Sequence, residues 1–97
     1  SGFPFGTLAV NVIGSFLLVF LMHMSLRTNL ISPDTRVTLT TGFLGGFTTY
    51  STFNYETIRL FQEGAAGMGA LNLAVTLSSC LAAGLLGWAC GRVMFGA

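Results

Sequence analysis

Residues 42–53, GFLGGFTTYSTF, combine aromatic and hydroxyl side chains that can contact an ion with glycines that can interrupt a helix. Tyr50 and Phe53 are three residues apart and would share one helix face, whereas Thr52 and Glu56 would lie on a neighbouring face. Aromatic rings have negative faces and positive edges, so edge-on rings favour an anion and rings presenting their faces favour a cation. The spacing leaves both ions open, and it also fits two rings that only pack a core.

The chain contains two further sets of polar residues, here called polar stripes, in which successive members are four residues apart. They comprise Thr7, Asn11 and Ser15 in the first, and Asn72, Thr76 and Cys80 in the second. Residues four apart lie on the same face of a helix. We therefore expect each stripe to face protein or water rather than lipid. Alternatively, the polar side chains only hydrogen-bond to their own helix or to a neighbouring one.

No arrangement of these residues favours catalysis. The chain contains no metal-ligand pair and no nucleophile with a plausible histidine base, because His23 is expected at a helix end near the membrane interface. Cys80 and Cys90 are predicted on one helix, about 15 Å apart along its axis, and therefore cannot form a disulfide with each other. The sequence predicts a protein that is not an enzyme.

The elements that position these residues must lie in a membrane. Of the 97 residues, 53% are hydrophobic and only 7% are charged, against roughly 25% charged in soluble domains. A spanning helix needs about 20 predominantly apolar residues. We predict an all-α membrane protein with one transmembrane channel domain, residues 1–97, and three spans at 4–25, 34–61 and 66–91. The net charge of +1 and the absence of lysine argue against a nucleic-acid partner.

Local signals mark the ends of these spans. Pro4 fits an opening helical turn, and Ser32 followed by Pro33 and Asp34 predicts an N-cap, a first-turn proline and an acid at the positive helix end. Trp88 and the nearby Arg92 predict a membrane interface at the end of the last span.

The middle span is predicted to break at 45–49. Gly45 and Gly46 are adjacent there, and each glycine in a helix interior costs up to about 1 kcal/mol. A break at membrane depth is tolerated only where it is buried in protein or lines a wet cavity. The carbonyl end of the first half would suit a cation, and the donor end of the second half would suit an anion.

Two motifs resemble those of the small bacterial fluoride channels called Fluc or CrcB. The first is TTGFLGGFTTYSTF at 40–53, followed by Glu56, and the second is GTLAVN at 6–11. The resemblance covers nearly the whole chain and implies a homodimer of four-helix subunits, inserted in opposite orientations in the bacterial inner membrane. It also implies passive fluoride export that lowers cytoplasmic fluoride. The resemblance further implies that the chain corresponds to the last three of the four helices.

The resemblance also implies the site residues. A sodium ion at the dimer centre would be held by the backbone carbonyls of Gly45 and Thr48. The fluoride pore would be lined by Asn11, Tyr50, Thr52, Phe53, Glu56, Asn72, Thr76 and Cys80. Two positions depart from the family pattern, because Tyr50 replaces a phenylalanine and Cys80 replaces a common hydroxyl residue.

Two other functions remain open. A proton-coupled small transporter with subunits in opposite orientations would need a membrane-embedded acid or histidine, and only Glu56 and His23 are available. A noncatalytic membrane scaffold would carry no halide at all.

Overall fold

The computed structural model describes residues 2–44 and 50–96, and every regular element in these ranges is helical. The elements are α1 (Phe5–Arg27), α2 (Pro33–Val37), the π-helical segment π1 (Thr38–Leu44), α3 (Tyr50–Gln62) and α4 (Ala66–Phe95). The helices α1 and α4 are long and apolar enough to cross a membrane. The predicted all-α membrane fold is confirmed.

The helix starts follow the local sequence signals. Ser32 is the N-cap of α2, and its hydroxyl accepts a hydrogen bond of 3.2 Å from the backbone N–H of Thr35. Pro33 occupies the first turn and Asp34 provides the acid there, as predicted. The helices α1 and α4 begin within one residue of the starts predicted for the outer spans, and Pro4 immediately precedes α1.

The last helix extends four residues beyond the predicted end of its span. The helix continues through the charged residue Arg92 and ends at Phe95. Within it, the Arg92 guanidinium lies over the Trp88 ring, 5.0 Å from the ring centroid. A glycine with positive φ, Gly96 (φ 89°), follows the helix.

The described part of the predicted middle span, 34–61, contains α2, π1 and α3. Two threonines of π1 bond back to the preceding helix α2. The Thr38 hydroxyl donates to the Asp34 carbonyl at 3.0 Å, and the Thr40 hydroxyl donates to the Arg36 carbonyl at 2.8 Å. Such back-bonding competes with the regular backbone ladder and bends helices, which fits the wider turns of π1. The predicted break at 45–49 lies outside the described residues and stays a prediction.

A Schellman turn reverses the chain between α3 and α4. Gly64 adopts a positive φ of 79° and donates to the Phe61 carbonyl at 3.2 Å, while Ala65 donates to the Leu60 carbonyl at 2.8 Å. Only glycine adopts this backbone conformation without a steric penalty. The turn folds α4 back against α3, so that residues near 57 and 72 become neighbours.

Close contact between α1 and α4 depends on glycines of α4. A Cβ atom at Gly87 would overlap the carbonyl oxygen of Phe16, and one at Gly91 would lie 2.9 Å from Cδ2 of His23. The His23 Nε2 is also 2.5 Å from the Gly96 carbonyl oxygen. The two long helices are therefore joined closely at their C-terminal ends.

Few apolar side chains are buried, because the chain is thin, with extents of 50 × 24 × 13 Å. Among the described residues, the buried hydrophobic side chains are Phe53, Leu60 and Ala83, whereas the buried polar ones include Asn11, Thr57, Asn72 and Thr76. Large apolar side chains such as Leu81 and Leu85 are exposed. This inside-out distribution is expected where the surrounding solvent is lipid.

We expect Gly87→Ala to destabilise the α1–α4 contact by about 1–3 kcal/mol, because the added methyl group must push two backbones apart. Thermal unfolding in detergent, followed by circular dichroism, measures the effect. Gly84→Ala is the matched control, since its Cβ would meet Val19 Cγ2 at an ordinary 3.4 Å. Equal melting temperatures for the two variants would contradict the close approach at Gly87.

Candidate functional site

A cavity of about 240 Å³ lies where α1, α3 and α4 meet. It is lined by Asn11 and Ser15 of α1, Tyr50 and Phe53 of α3, and Thr76, Leu77 and Cys80 of α4. Each helix therefore contributes residues three or four apart, which share one face of that helix. The cavity is the place where the two predicted polar stripes meet the aromatic pair.

Two aromatic rings of α3 form one wall of the cavity. The centroids of Tyr50 and Phe53 are 5.9 Å apart and their planes are inclined by 53°. Phe53 is buried, whereas Tyr50 is 72% exposed. Both rings belong to α3 and are three residues apart on it, so they lie on one face of that helix.

A buried chain of hydrogen bonds runs beside the cavity from α3 to α4. The Asn72 Nδ2 donates to the Thr57 hydroxyl at 2.7 Å, and the Thr76 hydroxyl donates to Asn72 Oδ1 at 3.1 Å. Asn72 is only 1% exposed. These hydrogen bonds satisfy buried polar atoms that would be costly to leave unpaired.

A second polar group joins α1 to α3. The Thr7 hydroxyl donates to Glu56 Oε1. One turn further along α1, the Asn11 Nδ2 donates to the Thr7 carbonyl at 2.9 Å. Thr7 therefore connects the carboxylate of α3 to a cavity-lining amide of α1.

The predicted pore residues occupy three kinds of position. The five that line the cavity are Asn11, Tyr50, Phe53, Thr76 and Cys80. Asn72 lies behind them and contacts Thr76, and Glu56 reaches Thr7. Thr52 is exposed and is not part of this lining, because successive helical residues are turned by about 100° and Phe53 takes the inward direction. Gly45 and Thr48 lie outside the described residues.

Four further residues contribute to the site. Ser15 and Leu77 line the cavity, Thr7 bonds to Glu56, and Thr57 is 5% exposed at the centre of the buried chain. Thr7 and Ser15 belong to the first polar stripe, so their spacing of four residues from Asn11 already indicated that they share its helix face. Thr57 lies one turn after Phe53, and that spacing was its only signal.

The lining can solvate a small anion without binding it through a full positive charge. Its polar side chains carry neutral donors, namely an amide, hydroxyls and a thiol. An apolar groove of about 520 Å³ shares Ser15 and Cys80 with the cavity and continues along α1 and α4 to Trp88. Along the contact between α1 and α4, the polar lining is therefore concentrated at the cavity, and the neighbouring groove is mainly apolar.

Comparisons with known proteins identify the family of the chain. The family described as CrcB-like protein, Camphor Resistance, matches residues 1–88. A fluoride-specific ion channel FluC of Sorangium cellulosum is 54% identical over 90 residues, which are 93% of this chain and 71% of that protein. The protein of the same name in Geotalea daltonii is 50% identical over 90 residues, covering 93% and 73% of the two chains. No solved structure shows a significant match.

If the cavity is wet, a small charged methanethiosulfonate should modify Cys80 in folded protein reconstituted in liposomes. We expect labelling of the Cys90→Ala variant, in which Cys80 is the remaining cysteine. Intact-mass spectrometry measures the adduct, and the same variant unfolded in detergent gives full labelling as the control. A folded protein that stays unmodified while the unfolded one reacts would contradict water access to Cys80.

Proposed function

Because the chain belongs to the CrcB-like protein family, we propose that it is a channel subunit that passes fluoride passively across the cell membrane and lowers cytoplasmic fluoride. The observation that carries the proposal is the cavity at which Asn11, Phe53, Thr76 and Cys80 meet. Relatives named as fluoride-specific ion channels, which match nine-tenths of this chain, support it.

Fluoride is small and strongly hydrated and only accepts hydrogen bonds, so a pore must replace its lost water with donors at short intervals. Asn11 and Thr76 offer an amide and a hydroxyl from opposite helices. The inclined rings of Tyr50 and Phe53 add positive edges.

The neutral lining also favours release. A fixed positive charge 4 Å from an anion would contribute roughly 4 kcal/mol at an effective dielectric constant of about 20. An added barrier of that size slows exit by about three powers of ten. Neutral donors give a shallower minimum, so fluoride can both enter and leave.

We further propose that two subunits pair in opposite orientations in the bacterial inner membrane, each as a multi-pass protein. The thin shape and the exposed leucines of α4 support coverage by lipid and by a second copy. A structural sodium ion at the dimer centre would be held by the backbone carbonyls of Gly45 and Thr48. The adjacent glycines Gly45 and Gly46 disfavour a continuous helix and therefore support an ion site there.

Liposomes containing the protein should release fluoride and retain chloride when a potassium-selective carrier dissipates the membrane potential. Ion-selective electrodes measure both anions, and protein-free liposomes give the leak. Equal release of fluoride and chloride would contradict fluoride selectivity. Fluoride accumulation that follows an imposed proton gradient would instead indicate a coupled transporter, and the absence of halide flux would indicate a scaffold.

We expect Phe53→Ile to slow fluoride release by roughly 2- to 13-fold, because an aromatic edge contact is worth about 0.5–1.5 kcal/mol. Tyr55→Ile is the matched control on the same helix, since Tyr55 is 66% exposed and lies outside the lining described for the cavity. Initial rates at equal protein density are compared. Equal slowing in both variants would remove Phe53 from the conduction path.

Replacing sodium with N-methyl-D-glucamine at equal ionic strength should lower the melting temperature of the purified protein. A bound ion present at 100 times its dissociation constant stabilises the folded state by about 2.7 kcal/mol. A sodium titration should raise the melting temperature progressively. Identical melting in both salts would contradict a structural sodium ion.

A further inference from the structure

Three hydrogen bonds connect the backbone of α3 to the cavity-lining hydroxyl of α4. The Thr57 hydroxyl donates to the Phe53 carbonyl at 2.8 Å, and Asn72 Nδ2 donates to the Thr57 hydroxyl at 2.7 Å. The Thr76 hydroxyl then donates to Asn72 Oδ1 at 3.1 Å. All three side chains are buried, and of the three only Thr76 lines the cavity.

The hydrogen bond from Thr57 to the Phe53 carbonyl determines which group donates in the other two hydrogen bonds. The Phe53 carbonyl can only accept, so the Thr57 hydroxyl donates its single proton there and offers a lone pair to Asn72. An amide flipped by half a turn would place Asn72 Oδ1 against that lone pair, and two acceptors would face each other. The amide oxygen is therefore directed to Thr76, whose proton it accepts.

We propose that Thr57 is a positioning residue for conduction, which acts through Asn72 on the Thr76 hydroxyl and does not itself contact the ion. The proposal rests on the fluoride-channel function proposed above. Without an ion, the Thr76 proton is held by Asn72 Oδ1. When fluoride enters, the Thr76 hydroxyl rotates and donates to the ion, and when fluoride leaves, the bond to Asn72 forms again.

This arrangement lets the Thr76 hydroxyl donate its proton to fluoride, yet gives that proton a partner, Asn72 Oδ1, when no ion is present. A donor with no protein partner would bind the ion more tightly, because nothing would compete with the ion for its proton. An amide free to turn would present its NH₂ group to Thr76 in part of the molecules, and the direction of the Thr76 proton would then vary. Thr57 removes that variation by holding the amide in one orientation.

Thr57→Val should test the role, because valine matches the shape of threonine and lacks the hydroxyl. We expect fluoride release from liposomes to slow by about 3- to 10-fold, as for the loss of one net hydrogen bond. Thr57→Ser keeps the hydroxyl and should stay within about twofold of the unchanged protein. If valine does not fold, Thr57→Ala is the second hydroxyl-free variant.

Ser78→Ala is the matched control for removing a hydroxyl that bonds to its own helix. The Ser78 hydroxyl donates to the Ala74 carbonyl at 2.6 Å and is exposed, so its loss should leave fluoride release unchanged. Equal slowing in Thr57→Val and Thr57→Ser would overturn the proposal, because the hydroxyl would then not be the relevant group. Unchanged release in Thr57→Val would overturn it as well.

A double variant separates positioning from an independent structural effect. If Thr57 acts only through Thr76, then Thr57→Val combined with Thr76→Val should release fluoride as slowly as Thr76→Val alone. Residues that act on one path are non-additive in this way. Fold-changes that multiply in the double variant would overturn the coupling between the two residues.

A readout without fluoride keeps this inference distinct from the channel function. In protein labelled with ¹⁵N-asparagine, the side-chain amide signal of Asn72, assigned by its absence from Asn72→Ala, should shift in Thr57→Val and stay in place in Thr57→Ser. An Asn72 signal that does not shift would overturn the positioning role. A shifted signal in a protein that conducts no fluoride would support the positioning of the amide and contradict the channel function.

Discussion

A polar group at membrane depth must find its partners within the protein, and this constraint determines how the helices of this chain are arranged. Asn72 is the clearest case, because it lies in the second turn of the apolar helix α4 and is 1% exposed. Its amide can be satisfied only where α3 brings Thr57 alongside, and the glycine turn at Gly64 makes that approach possible. Farther along α4, Gly87 and Gly91 allow α1 to approach closely.

The same polar side chains serve helix packing and ion solvation, and the two roles compete. A neutral hydrogen bond is worth about 0.5–1.5 kcal/mol net, whereas a bond to a charged partner is worth about 1.5–3 kcal/mol. If each contact to fluoride replaces a contact within the protein, as at Thr76, the gain for each donor is only about 1–2 kcal/mol. Such an exchange lets a buried site attract a dehydrated anion and still release it.

Much of the fold could be predicted because its signals are local. The cap at Ser32, the starts of α1 and α4, and the all-α membrane class follow from composition and from helix-end chemistry. The π-helical segment could not be predicted in this way. It contains threonines such as Thr40 that bond back to the helix, yet the same back-bond from Thr57 leaves α3 regular, so the residue type alone does not mark the segment.

The candidate site was predicted in part. Helical periodicity placed Asn11, Thr76 and the two rings on faces that the structure brings to one cavity, and the family resemblance joined those faces. Thr52, which was also predicted in the pore, does not line this cavity, since one step of helical rotation separates it from Phe53. Thr57 was missed because a threonine inside a helix becomes significant only when the residue opposite it is known.

The most direct test of the account is to locate fluoride in the folded protein in lipid. Solid-state NMR can measure dipolar contacts between ¹⁹F of the bound ion and a ¹⁵N-asparagine- and ¹³C-phenylalanine-labelled chain. The account predicts contacts from fluoride to the Asn11 amide and to the Phe53 ring, both of which line the cavity. Bound fluoride that contacts neither residue would contradict a conduction path through this cavity.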